Sequence, residues 1–352
     1  MAAVDAIIVP ISHPVGSLHT AIALAIELKC PLVALCSQQA SAEEALRLVH
    51  DTGAALVAIN TEEMPAELLP RFATSELLSG TRFAYPRDTS TKRNLGLLLA
   101  SLLGWRRIVF LDDDIVVPTP GDLGRAAYLL DRHAAVGLSI GDFPDNSVVC
   151  HANRATGGDQ DTFIGGGALV VDTASRLAFF PDIYNEDWFF LLDDERLCSA
   201  TMIGSAEQSP YDPYASTDRA TAEEFGDCLA EGVFRLLDRK LGISDATLDH
   251  WREFLGLRST FIDELIDRIR LTDKPVYEKD RIAAALTAAR NRSGQIEPAL
   301  CVAYLQAWLE DRGLWRRHVA DRLDQFGVPG GAKVSKVLSG LGLLECSSLT
   351  IT

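Results

Sequence analysis

Disulfide chemistry has no foothold in this chain. Its 7 cysteines are odd in number, no two stand at CxxC spacing, and several lie inside apolar segments. That usage reads as reduced, mostly buried thiols and fits a reducing cytoplasm. Basic residues are scarce as well: 33 Lys and Arg stand against 49 Asp and Glu, a formal charge of −16. A surface of that sign excludes a general nucleic-acid or anionic-membrane binder. No apolar run is long enough to span a bilayer. The stretch 95–105 is too short, and Glu27 and Lys29 interrupt the one before it. The first residues carry Asp5 and no basic region, so no secretory leader is expected, and a cytoplasmic location follows. Short-period repeats and low-complexity tracts are missing too. What remains is 47% hydrophobic and 23% charged residues over 352 positions. That suffices for one large α/β domain and a smaller appendage.

The hydrophobic pattern supplies the layout. Residues 6–10 read as a strand and 17–29 as an Ala-, Leu- and Ile-rich helix. Pro31 opens a second strand at 32–36, and Ser41 with Glu44 forms a capping-box pair for the next helix. That helix ends near Gly53, before a third strand at 55–59. Alternation of this kind predicts a mostly parallel, Rossmann-like sheet flanked by helices. A loop-rich section, 61–90, precedes a helix at 91–103 and a strand at 108–111. Further on come a helix at 123–132, a strand at 135–140, a polar segment at 142–161 and a strand at 163–171. From about 241 the texture turns helical, with segments at 251–271, 277–291, 298–309 and 313–326. The expected division is a site-bearing α/β domain over 1–240 and a helical region over 241–352. The helical region would complete a pocket, act as a lid or mediate a homodimer.

Chemistry concentrates at the ends of these elements. Asp112, Asp113 and Asp114 follow the apolar strand 108–111. Open α/β sheets bind ligands outside the carboxyl ends of their strands. Adjacent carboxylates repel one another, and a hard divalent cation, Mg²⁺ or Mn²⁺, would relieve that conflict. The first strand ends in Pro10, Ile11, Ser12 and His13, a backbone edge suited to a nucleobase. Lys92 and Arg93 open the helix before the acidic strand, a place for a phosphate or diphosphate. Asn185 is placed to cap an aromatic helix whose first turn carries Glu186 and Asp187, followed by Trp188. Each feature has a plainer counterpart: helix-dipole acids at Glu186 and Asp187, a solvated helix start at Lys92 and Arg93, a bulge at Gly165–Gly167, a core role for Trp188.

With these motifs in this order, residues 5 to 235 resemble the metal-dependent nucleotide-sugar glycosyltransferases of the GT-A fold, the family-2 type in general outline. The resemblance matches Asp112 and Asp114 to the family's Asp-x-Asp motif, which implies that Asp112 helps hold ribose or metal and Asp114 ligates Mn²⁺ or Mg²⁺. It matches Glu186-Asp187-Trp188 to the later Glu-Asp pair, which implies a general base for the acceptor hydroxyl, Asp187 first and Glu186 second. Gly166 and Gly167 would line the sugar site. Pro10, Ile11, Ser12, Ser37, Lys92, Arg93, Asp113 and Trp188 complete the expected nucleotide-sugar contacts. The chain departs from the family in three places: Cys36-Ser37-Gln38-Gln39 lacks the acid that often meets the base, the first strand offers Ser12 and His13 where an Asn is frequent, and only His151 and Asp212 offer themselves as a third metal ligand. The implied partners are a nucleoside-diphosphate sugar and a small-molecule or glycan hydroxyl acceptor, with inversion of the sugar favoured by an acid at the base position. Rival readings are a retaining enzyme on the same fold, a sugar nucleotidyltransferase or mutase, and a non-catalytic sugar-nucleotide binder.

Overall fold

A computed structural model describes residues 3–141, 146–159, 164–175, 177–327, 333–344 and 347–350, the last four as backbone only. Part of the polar segment 142–161, Phe163 at the start of an expected strand, and Cys346 lie outside the described residues. The strands are β1 (Ala6–Ile11), β2 (Leu32–Cys36), β3 (Leu56–Asn60), β4 (Arg107–Leu111), β5 (Ile115–Val116), β6 (Ala135–Ile140), β7 (Ala168–Asp172), β8 (Ala200–Gln208) and β9 (Ser347–Thr350). They lie in the order β5-β8-β6-β7-β4-β1-β2-β3-β9. β4, β1, β2 and β3 run parallel, each built of the β-branched and Leu-rich runs that suit a sheet buried on both faces. β7 is antiparallel to both β4 and β6, and β6 pairs parallel with β8. The chain is therefore α/β and Rossmann-like, with a parallel half where nucleotides bind in such folds and a mixed half beyond β4.

The helices are α1 (His19–Leu28), α2 (Ala42–Val49), α3 (Ala73–Leu78), α4 (Thr89–Leu103), α5 (Gly121–Leu129), α6 (Val148–Ala155), α7 (Glu186–Phe190), α8 (Thr217–Asp238), α9 (Leu248–Leu271), α10 (Val276–Ser293), α11 (Pro298–Phe326) and α12 (Val334–Gly340). Strand alternation sends Ile7, Val9 and Ile11 to one face, against residues of α1 and α2. Ala6 and Ile8 face the other way, into a core shared with α4, α8, α9 and α11. That second core contains Trp251, Trp308 and Trp315 from the helical region alongside the sheet residues. α8, α9, α10 and α6 also close on a smaller apolar cluster of their own.

Two expectations about helices need correction. The segments at 298–309 and 313–326 are one helix of 29 residues, α11. A helical glycine costs about 1 kcal/mol relative to alanine, and burial of Tyr304, Trp308 and Trp315 along the same face outweighs the Gly313 signal. The helical texture also begins earlier than 241, because α8 starts at Thr217.

Candidate active site

β1 and β4 both stop at the same edge of the sheet, and α4 crosses behind them. Ser12 and the three aspartates therefore emerge side by side. α4 begins at Thr89, two residues before the expected start, so Lys92 and Arg93 lie inside the helix rather than at its open end. Both are buried, 1% and 2% exposed, which removes the solvated-start reading. They are also committed to protein groups. Lys92 Nζ donates to the Ile11 carbonyl at 2.9 Å and to the Ser12 and Ser37 hydroxyls at 2.7 Å each. It pairs with Asp88 at 3.1 Å as well. Burial draws its pKa down, with Asp88 opposing the shift. Lys92 is thus a peg joining the ends of β1 and β2. Neither stands at an open helix end: Lys92 is spent on these protein groups, while Arg93, its buried Nε unpartnered among the described residues, lies on the wall of the second cavity.

Arg93 organises the acids. Its Nη2 donates to both oxygens of Asp112, at 2.8 and 3.0 Å, and its Nη1 to Glu186 Oε1 at 2.5 Å. Burial alone would draw the pKa of this guanidinium down, but the charges of Asp112, Glu186 and Asp187 together raise it. Burial pushes Glu186 up to about 8 against the pull of Arg93, with Asp187 adding to the rise. Burial also raises Asp187. A single cation among three carboxylates leaves one of them favouring a proton near neutrality. Asp187 Oδ2 accepts the Gly166 N–H at 2.6 Å and Oδ1 accepts the Trp188 N–H at 2.9 Å. A Cβ at Gly166 would lie 2.5 Å from Arg93 Nη1, so a larger residue there would push the guanidinium from its place in the clamp.

The aspartates splay in three directions. Asp112 points to Arg93. Asp113 accepts His13 Nδ1 at 2.9 Å and the Ser12 and His13 N–H groups at 3.3 Å. Asp114 accepts Gln208 Nε2 at 3.1 Å from the end of β8. Each is half-buried, and all three line one cavity. Hard oxygen donors there fit Mg²⁺ or Mn²⁺, which complete their shells with phosphate oxygens and water. The splay confines the protein's share to one or two oxygens, and Asp112, tied through both oxygens to Arg93, contributes less readily than Asp114. The third ligands considered do not reach this cluster. His151 bonds the Tyr211 hydroxyl at 2.9 Å, and Asp212 pairs with Arg281.

Two cavities meet at Asp112. The first, about 400 Å³, is lined by Pro10, Ser12, Lys92 and the three aspartates, together with His13, Gln38 and Arg87. The second, about 160 Å³, is lined by Arg93, Gly166, Gly167, Glu186, Asp187 and Trp188, with Tyr85, Tyr184, Gln208 and Arg219. Arg87, Thr89 and Asp112 line both. Ile11 and Ser37 line neither; they sit behind the wall as partners of Lys92. Trp188 combines wall and core, packing on Phe234 at 4.7 Å while lining the second cavity.

Asn185 does not cap α7 through its side chain. It occupies the left-handed region at φ 62°, and its Nδ2 donates to Asp227 Oδ1 at 3.0 Å. Asp227 belongs to a buried network on α8 in which Arg258 of α9 also reaches Glu224 at 2.9 Å and Glu231 at 2.7 Å. Cys150, Asp227 and Glu231 bring ligand atoms within 4.8 Å of one another. Arg258 already supplies their counter-charge, so the cluster reads as an ion network flooring the second cavity. Residue patterns did not single out Arg87, Arg219 or this network. The one signal for Arg87 was a basic residue in Tyr85-Pro86-Arg87-Asp88, just ahead of a helix.

No family model matches the chain, and no curated protein matches it. Among solved structures it is similar to the mannosyltransferase PcManGT from Pyrobaculum calidifontis in complex with GDP-Man and Mn²⁺. The identity is 14%, the TM-score 0.39, and the match covers 92% of this chain and 87% of that one. A likeness of that depth assigns this chain neither substrate nor mechanism.

Proposed function

We propose that this chain is a glycosyltransferase of the GT-A type, family-2-like, which moves a sugar from a nucleoside-diphosphate donor to a hydroxyl acceptor with inversion. The observation that carries the reading is the pair of cavities meeting at Asp112, one walled by the strand-end aspartates and the other by the Glu186-Asp187 pair. The nucleoside diphosphate occupies the first cavity, and its sugar crosses Asp112 into the second. A divalent cation held by Asp114, with Asp112 or Asp113 beside it, would neutralise the diphosphate.

The protein's own groups do the rest. Arg93 fixes Asp112 and Glu186 relative to each other, and through Gly166 it sets the loop on which the sugar lies. Asp187 takes the acceptor's proton as the new C1–O bond forms. The C1–O bond to the diphosphate breaks with its electron pair passing to the phosphate oxygen. A base works best when its pKa approaches the working pH, and the upward shift at Asp187 moves it in that direction. Both of its oxygens accept a backbone N–H, which aims the carboxylate without exhausting its lone pairs.

Asp187→Asn is expected to keep donor binding and lower kcat by about two to four orders of magnitude. In the native protein kcat should rise with pH through a limb above the ordinary carboxylate range, and the variant should lose that limb. NMR of the product anomer supplies the companion test. Retained configuration, or an Asp187→Asn protein with normal turnover, removes Asp187 from the base position.

A further inference from the structure

The first cavity has an unbalanced charge. Asp88, Asp112, Asp113 and Asp114 line it, and the cation expected to offset them, Lys92, is saturated by three hydrogen bonds and an ion pair. A diphosphate brought there adds more negative charge. Arg87 is exposed, lines both cavities, and among the described residues makes no hydrogen bond or ion pair. It directly precedes Asp88, the residue at the N-terminal boundary of α4, and α4's first residue, Thr89, lines both cavities with it. The strand-end acids are thus approached by one guanidinium with all its donors available, at the place where donor sugar and diphosphate join.

Resting on the transferase reading above, we propose that Arg87 is the leaving-group cation of this enzyme. It grips the donor's diphosphate and stabilises the negative charge that builds on it as the C1–O bond breaks. No proton moves at this residue: the electron pair of the broken bond stays on the phosphate oxygen, and the acceptor's proton goes to Asp187. A planar, permanently charged fork suits two phosphate oxygens better than an ammonium does. Freedom from protein partners is the physical requirement, because a guanidinium already held by a carboxylate would have to give up that bond to meet phosphate. Arg93 fails that requirement and Arg87 meets it.

The test uses the full chain with Mn²⁺. UDP, GDP, ADP, CDP and dTDP are screened by thermal shift, and the best binder is compared with its own monophosphate by calorimetry. Arg87→Ala should weaken the diphosphate by about tenfold or more and the monophosphate far less, so that the ratio of the two collapses. With the matching sugar donor, kcat should fall about 100-fold, the scale for losing one preorganised donor to a developing charge. Arg87→Lys should recover part of both effects. Because Arg87 is exposed, thermal midpoints of the unliganded variants should equal the native one, which separates ligand loss from misfolding. A native protein that turns over donor beside an Arg87→Ala variant with unchanged ratio and kcat overturns the Arg87 role alone. A native protein that binds none of the diphosphates overturns the transferase reading, and this role falls with it.

Discussion

At the scale of the residue, the site is governed by how few cations serve how many acids. Arg93 holds Asp112 and Glu186 directly, with Asp187 close enough to feel its charge. The consequence for stability has a definite sign. Glu186 is raised from about 4.5 to about 8, so its folded form retains a proton that the unfolded chain has lost. Its contribution is fully present below the unfolded value and drains away as pH rises toward 8. Glu186→Gln keeps a neutral group throughout. The thermal midpoint of the variant should therefore gain on the native protein between pH 5 and pH 8, and hold its lead above that. Parallel midpoints across that range would mean that Glu186 stays ionised on Arg93. The identities of these residues were legible in the sequence: the strand-end aspartates, the Glu-Asp pair and the glycines drew notice by position. Their pairing was not. Nothing in a helix sequence tells that Arg93 bends to two carboxylates while Lys92, one residue away, turns to Ser12 and Ser37. The direction each takes depends on which strand ends lie behind that turn of α4. Arg87 was missed for the complementary reason, since one basic residue ahead of a helix does not tell that packing leaves it free.

At the scale of the element, α8 shows how a helix hides. It is 22 residues long, yet Glu223, Glu224 and Asp227 are buried on it. Acidic residues where an apolar stripe belongs erase the helical period, so the segment between β8 and residue 241 had no legible helix. The compensation lies 31 to 34 residues downstream in Arg258, itself buried on α9. Gly226 adds a second hidden constraint: a Cβ there would stand 2.1 Å from the Tyr184 carbonyl oxygen, so α8 can lie against the turn that presents Glu186 and Asp187 only through glycine. Arg258 thus supports the Glu186-Asp187 turn indirectly, by way of Asp227 and Asn185. Arg258→Met should cost about 3–5 kcal/mol, the penalty for stranding buried carboxylates. Burial already lifts Glu231 to about 7 and raises Glu224, so the stranded acids can take up protons as the medium acidifies. Urea midpoints should show a larger loss at pH 8 than at pH 5.5. An equal loss at both would locate the effect in packing rather than charge. By contrast β1, β2, β3 and β4 were legible to within a residue or two, because a strand buried on both faces must be apolar throughout.

At the scale of the molecule, the question is whether the α/β part stands without its helices. Composition change near residue 241 suggested a boundary, and the alternation of strands and helices before it suggested a self-sufficient domain. The packing argues for interdependence. Trp251, Trp308 and Trp315 share one core with Ile8, Val33 and Phe110 of the sheet. Asp311 of α11 accepts the Ala73 and Thr74 N–H groups at 2.7 and 2.9 Å and the Thr74 hydroxyl at 2.7 Å, capping the start of α3 from more than 230 residues away. Arg312 reaches the Leu192 carbonyl at 2.6 Å and Asp194 at 2.7 Å. β9 closes the far edge of the sheet against β3. Removing 241–352 uncovers the apolar face of α8 and that edge together. It also strips Glu224 and Asp227 of Arg258, their ion-pair partner. Each fully buried tryptophan or leucine lost is worth roughly 2 kcal/mol of transfer free energy, against a total stability of about 5–15 kcal/mol for a typical domain. A fragment of residues 1–240 is therefore expected to show no cooperative unfolding and no diphosphate-dependent stabilisation, whereas the full chain unfolds in one transition followed equally by tryptophan fluorescence and far-ultraviolet dichroism. A fragment that melts cooperatively and still binds a nucleoside diphosphate would make the helical region an independent attachment. The dependence of the Glu186-Asp187 turn on α9 would then have to be abandoned with it.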